Sequence, residues 1–145
     1  MFRKTCVFII SSIGVLIFLS FKTSPVTDIK LMSLQDTAKW IAPASADSLK
    51  SPLDQGPETI AKGEELFGLY CWPCHGEAGF GDGPAGGSGP IRPANFHDKE
   101  TMAQKDGALF WKMTQGRGIM PPFKEALTVE QRWQLVAFLR NLSKQ

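Results

Sequence analysis

An excess of charge of either sign is what this chain most plainly lacks. Its 16 basic residues stand against 14 acidic ones, a formal net charge of +2 at pH 7. Arg3, Lys4 and Lys22 flank an apolar N-terminal run, and without these three the 16 bases fall to 13 against 14 acids. That balance does not build the basic surface a nucleic-acid partner requires. Cysteine is scarce and odd in number, at positions 6, 71 and 74. Cys71 and Cys74 sit beside a histidine and Cys6 lies inside the apolar run, which leaves no pair for a structural disulfide. No segment alternates apolar and polar residues with a period of two, so no strand is expected. Residues 76–89 are rich in glycine, but no Lys-Ser/Thr follows and no strand precedes them, which excludes a phosphate loop. The chain has no internal repeat and no βαβ pattern, so a thioredoxin-like exchange role for the cysteines is a poor fit.

The apolar run itself is short. Residues 6–21 make a 16-residue segment behind Arg3-Lys4, about 24 Å as a helix against a hydrocarbon core of about 30 Å. Length favours a cleaved export signal. The chain after it, Lys22-Thr23-Ser24-Pro25, has no small-x-small cleavage site and favours an uncleaved anchor. Residues 1–23 are therefore read as a signal peptide or an N-terminal membrane anchor. Either exports the body to the periplasmic side of the cytoplasmic membrane, anchored there or soluble. Residues 24–56, rich in Ser, Pro, Asp and Lys, read as a linker or extended arm. Trp40 in that arm either docks on the globular part or on a partner, or stays a partly exposed linker residue.

What is present is concentrated in Cys71-Trp72-Pro73-Cys74-His75. Two cysteines three apart with a histidine next to the second are the pattern of covalent c-type haem attachment. Both thiols reach the vinyl groups of one porphyrin edge, and the adjacent imidazole turns under the ring to the iron. The sequence carries one such motif, hence one haem c per chain. Around it the pattern is helical. Pro57 and Glu58 suit a helix start, and Ile60, Phe67 and Tyr70 recur at helical spacing. Gly63 lies four residues before Phe67 on the same face, where a bare glycine lets another helix cross closely. Residues 106–114 read as a short helix capped by Asp106 and ended by Gly116. Thr128-Val129-Glu130-Gln131 forms a capping box ahead of a final helix whose apolar face runs through Leu135, Val136, Phe138, Leu139 and Leu142. The fold class is all-α, with at least three helices and long loops over residues 57–145.

A second axial ligand is best sought at Met120. It lies 45 residues after His75, in Met120-Pro121-Pro122-Phe123. A thioether is a soft ligand that raises the potential, and two prolines stiffen the loop behind it. Met102, Met113 and His97 are its rivals. Met113 falls in a helical pattern and reads as core, and a lone loop histidine is more often hydrogen-bonded than ligating.

Residues 57–145 resemble a class I c-type cytochrome, specifically a small bacterial monohaem domain. The resemblance rests on Gly63-x-x-x-Phe67-x-x-x-Cys71-x-x-Cys74-His75, on Gly116-x-x-x-Met120-Pro121, and on a C-terminal helix bearing Leu135 and Phe138. It implies thioethers at Cys71 and Cys74, His75 and Met120 on the iron, and a crossing of the first and last helices at the glycine. It also implies a proline carbonyl orienting the second nitrogen of His75, with Pro93 the best match and Pro90 the other. Phe138 stands where a tyrosine is frequent. Arg92, Trp111 and Arg117 are propionate candidates because each donates hydrogen bonds.

Electron transfer on the periplasmic side follows as the expected function. The partners would be a quinol-oxidising complex, a terminal oxidase or a periplasmic reductase. A haem-bearing subunit of a larger oxidase, reductase or dehydrogenase complex shares that chemistry. Were Met120 not to ligate, an open-site enzyme or gas sensor would follow, though no distal histidine and arginine pair is evident.

Overall fold

A computed structural model describes residues 39–86 and 91–145. The N-terminal apolar segment with Cys6, the arm as far as residue 38, and Gly87, Gly89 and Pro90 lie outside the described residues. After a short 3-10 helix, Ala44–Ser48, come five α-helices: α1 (Pro57–Tyr70), α2 (Trp72–His75), α3 (Lys99–Met102), α4 (Asp106–Gln115) and α5 (Val129–Leu142). Among the described residues there is no strand beyond one isolated antiparallel bridge, Arg117 to Met120. None of their helices is long and apolar enough to cross a membrane.

The helix starts follow the local chemistry. Pro57 opens α1, with its missing N–H spent where no partner exists, and Glu58 sits in the positive first turn. Asp106 is in the first turn of α4 rather than its cap, which is Lys105. Thr128 and Gln131 form the expected reciprocal box at α5. The Gln131 N–H donates to Thr128 Oγ1 at 3.1 Å, and the Thr128 N–H donates to Gln131 Oε1 at 2.9 Å.

The core forms where α1 crosses α5. An added methyl at Gly63 would overlap the Gln134 carbonyl oxygen and come within 2.7 Å of Phe138 Cβ. The missing side chain is therefore what lets the backbones meet. Phe67, one turn on, packs its ring 5.2 Å from Phe138 and 6.1 Å from Phe96. Leu135 and Val136 are fully buried beneath this contact, and Met113 belongs to the same core. Arg140 then ties α5 to the turn between α3 and α4. It donates to Asp106 Oδ1 and to the Met102 carbonyl, each at 2.6 Å, and to the Gln104 carbonyl.

The expected arm is only partly an arm. Within residues 39–56, Trp40, Ala46 and Leu53 pack against the helical domain. Ala46 is buried, and a side chain at Gly107 on α4 would meet the Ala46 carbonyl and stand 2.9 Å from that of Leu49. Lys105 pairs with Asp47 at 3.2 Å, and Lys39 with Glu100. Trp40 packs edge-on against Trp111, with ring centres 6.5 Å apart.

Candidate haem site

Helix α1 ends at Tyr70, and α2 follows after a single residue, so Cys71, Cys74 and His75 fall within one helical turn. The N–H groups of Cys74 and His75 donate to the Cys71 carbonyl at 3.2 and 2.9 Å. Residues three and four apart share a helix face, so the two sulfurs and the imidazole leave on one side. Both thiols are half-buried and unpaired with each other. Burial pushes the Cys71 thiol up to about 12, with the neighbouring Cys74 adding to the rise. An exchange-active thiol needs the opposite shift, and Cys71 does not have it.

The described part of the glycine-rich loop folds back on this turn. Gly81, Gly83 and Ala85 donate their N–H groups to the carbonyls of His75, Cys74 and Pro73 at 2.7, 3.1 and 2.8 Å. The last carbonyls of the turn are thereby satisfied without water. Gly76 makes the return possible. It has φ +79, and a side chain there would overlap Asp82.

His75 is held by the next loop. Its Nδ1 lies 3.0 Å from the Ala94 carbonyl oxygen, and its ring stacks on Phe96 at 4.8 Å. The orienting carbonyl is therefore that of Ala94, one residue after Pro93. Pro93 turns its own carbonyl towards Gly81, where an added Cβ would sit 2.5 Å away. Burial lowers the pKa of His75 below its ordinary 6.5, and the bond to Ala94 opposes this more weakly. The neutral ring donates from Nδ1 to Ala94, which leaves Nε2 as a lone-pair donor. His97 is occupied otherwise. Its Nε2 lies 2.7 Å from the Ala78 carbonyl, and its ring stacks on Phe80 at 4.3 Å.

Met120 comes from a tight turn after α4. Gly116 ends the helix at φ +65, and Arg117 and Met120 then exchange both backbone hydrogen bonds, at 2.9 and 3.0 Å. Beyond the prolines, the Phe123 N–H returns to the Met113 carbonyl at 3.1 Å. The loop is thus pinned at both ends. Met120 is half-buried against the same core cluster as Cys71. Among the rivals, Met113 is core as expected, and Met102 packs on the core's edge. Trp111 and Arg117 come together around Trp40, with Arg117 Cζ 6.0 Å from its ring centre. Arg92 is exposed on the other loop, two residues before Ala94.

The donor set suits a covalently held haem: two thiols on one face, an imidazole with a free Nε2, and a thioether on a pinned loop. Ala94 and Phe96 are the functional positions the sequence did not single out. The run Arg92-Pro93-Ala94-Asn95-Phe96 was recognisable there, but the carbonyl facing the imidazole depends on how the loop turns.

A family model described as cytochrome c oxidase, cbb3-type, subunit III matches residues 58–139. A 1-butanol dehydrogenase (cytochrome c) of Thauera butanivorans is 33% identical over 93 residues, 64% of this chain and 13% of the dehydrogenase. A reducing HAO-like protein complex of Kuenenia stuttgartiensis contains a chain that superposes with a TM-score of 0.56 at 29% identity, covering 72% of this chain and 51% of that one. The chain thus spans a small part of the first protein and about half of the second. The family match takes in more than half of the chain, which therefore belongs to this family of cytochrome c domains, built on the class I c-type fold.

Proposed function

We propose that the domain carries one haem c, joined by thioethers to Cys71 and Cys74, with His75 Nε2 and Met120 Sδ as the axial ligands of its iron. The haem supplies a metal that changes oxidation state by one electron. The chain's own residues do the rest. The Ala94 carbonyl accepts from His75 Nδ1, fixes the tautomer and makes the imidazole a stronger donor. Phe96 holds the ring's plane by stacking. The turn of residues 117–120 presents Met120 from a loop pinned at both ends, where its thioether would hold the iron and shield it from water and exogenous ligands. Trp111 and Arg117 would be partners for a propionate, since each can donate hydrogen bonds. Arg92 is the remaining one.

The observation that carries this reading is the hydrogen bond from His75 Nδ1 to the Ala94 carbonyl, because it commits Nδ1 as the donor and leaves the lone pair of the ring on Nε2. Residues 1–23 would export the domain to the periplasmic side and, if retained, anchor it to the membrane. The redox partner is proposed as a dehydrogenase or a related oxidoreductase complex, with this chain as an electron-carrying, non-catalytic component. Support comes from the relatives, which are a 1-butanol dehydrogenase (cytochrome c) and a reducing HAO-like protein complex. Quinol-oxidising complexes, terminal oxidases and periplasmic reductases are the further partners to test.

The test is made on full-length protein matured in a host that attaches c-type haem. Haem should remain with the polypeptide through acid–acetone extraction at one per chain, and mild detergent extraction should bring an oxidoreductase down with it. Extractable haem, or two haems per chain, would overturn the covalent single-haem assignment.

A further inference from the structure

The docked arm lies outside residues 58–139, and the cytochrome reading leaves it without a task. Its contacts are not scattered. Trp40 meets Trp111 near the end of α4 edge-on at 6.5 Å. The Lys112 ammonium stands 5.4 Å from the centre of the Trp40 ring, and the Arg117 guanidinium carbon 6.0 Å. A cation facing an indole is attracted to the negative ring face. Lys112 also donates to Gln104 Oε1, and Lys39 next to Trp40 pairs with Glu100. Three cations, Lys39, Lys112 and Arg117, gather here closely enough that burial first, and Arg117 and Lys39 after it, lower the pKa of the Lys112 ammonium from its ordinary 10.5. Lys39 has Glu100 and Lys112 has Gln104 as polar partners, and the Trp40 ring face adds an attraction for both Lys112 and Arg117.

Arg117 is also the backbone partner of Met120 in both directions, at 2.9 and 3.0 Å. A side chain held over Trp40 and a main chain locked to Met120 belong to the same residue. The arm is fixed in its turn by Ala46 in its niche over Gly107 and by the Asp47–Lys105 pair. We propose that residues 39–49 form a strap whose Trp40 is a positioning residue for Met120: it clamps Arg117 and so restrains the turn that presents the thioether. The proposal rests on Met120 being a ligand, and its test separates the two claims.

The experiment compares full-length holoprotein carrying Trp40→Ala with wild type by three readouts. These are the sulfur-to-iron charge-transfer band of the oxidised form, the affinity of the oxidised form for imidazole, and the rate of carbon monoxide binding to the reduced form. Imidazole and carbon monoxide enter only when the methionine has left, so both report how often the loop opens. Losing two cation–ring contacts is expected to raise both by about tenfold, with the band still present in the absence of imidazole. Trp40→Phe, which keeps an aromatic face, should restore most of the wild-type behaviour. If Trp40→Ala fails to accumulate, Trp40→Leu fills the space without a ring and takes its place with the same expectation. A variant that matches wild type in imidazole affinity and carbon monoxide rate overturns the strap. A wild type that lacks the band overturns Met120 ligation instead, and the strap's role towards it falls with that.

Discussion

Gly63→Ala is expected to lower the stability of the holoprotein by about 2–3 kcal/mol, whereas Gly68→Ala, five residues on in the same helix, should raise it by about 0.5–1 kcal/mol. Intrinsic helix propensity rewards both changes by about 1 kcal/mol. At Gly68, which is exposed, nothing lies within 4 Å of an added methyl, so the reward is kept. At Gly63 the methyl would enter the Gln134 carbonyl and the Phe138 side chain. The two helices must then separate along their whole crossing, and Phe67 loses contact with Phe138. Guanidinium denaturation followed by far-ultraviolet dichroism and haem absorbance reads both variants. The opposite signs of the two shifts carry the prediction. An equal gain at the two positions would mean that α1 and α5 do not cross at Gly63.

The second large effect is chemical. Met120→Ala should abolish the sulfur-to-iron band and lower the midpoint potential by on the order of 0.2 V, a fraction of the roughly 0.8 V over which axial ligands move a haem. The reduced variant should bind carbon monoxide readily. The thioether favours reduced iron, so its loss must shift the potential downward. Met113→Leu and Met102→Leu should leave the band and the potential in place. The first fills the core with nearly the same volume, and the second sits at the core's edge. A band lost in Met102→Leu and kept in Met120→Ala would reassign the ligand. Redox titration with near-infrared detection distinguishes these outcomes.

The parts of this domain that were legible in its sequence are those specified by local chemistry. The attachment motif is one helical turn, so its spacing and its geometry are the same fact. The box at Thr128 and Gln131 needs only four adjacent residues, and it appears with both of its hydrogen bonds. Gly63 could be read because a glycine four residues before an aromatic, in an otherwise good helix, has few uses other than a close crossing. The Ala94 carbonyl was missed by one position. Its placement depends on Phe96, whose N–H donates to the Gly79 carbonyl at 2.8 Å while its ring stacks on His75. That is a contact between two loops, and neither carries a signal for the other. The packing of the arm was not legible for a similar reason. Its polar composition reads as a tether, and the small apolar anchor Ala46 acquires meaning only beside Gly107 of α4. Trp40 could be flagged but not placed, since the cations over its ring are more than 70 residues away in the chain.

The cluster around Trp40 also bears on the propionate assignment. Trp111 and Arg117 stand together there, with Lys112 beside them. Arg92 is on the loop that carries Ala94. If Arg117 also donates to a propionate as proposed, propionate and strap would draw on the same guanidinium.

The most direct test of the central claim is the near-infrared spectrum of the oxidised full-length protein, followed by exposure of the reduced protein to carbon monoxide. A haem closed by His75 and Met120 gives the sulfur-to-iron charge-transfer band and no rapid carbon monoxide adduct. Absence of the band together with prompt carbon monoxide binding would contradict the account and identify an open haem site in its place.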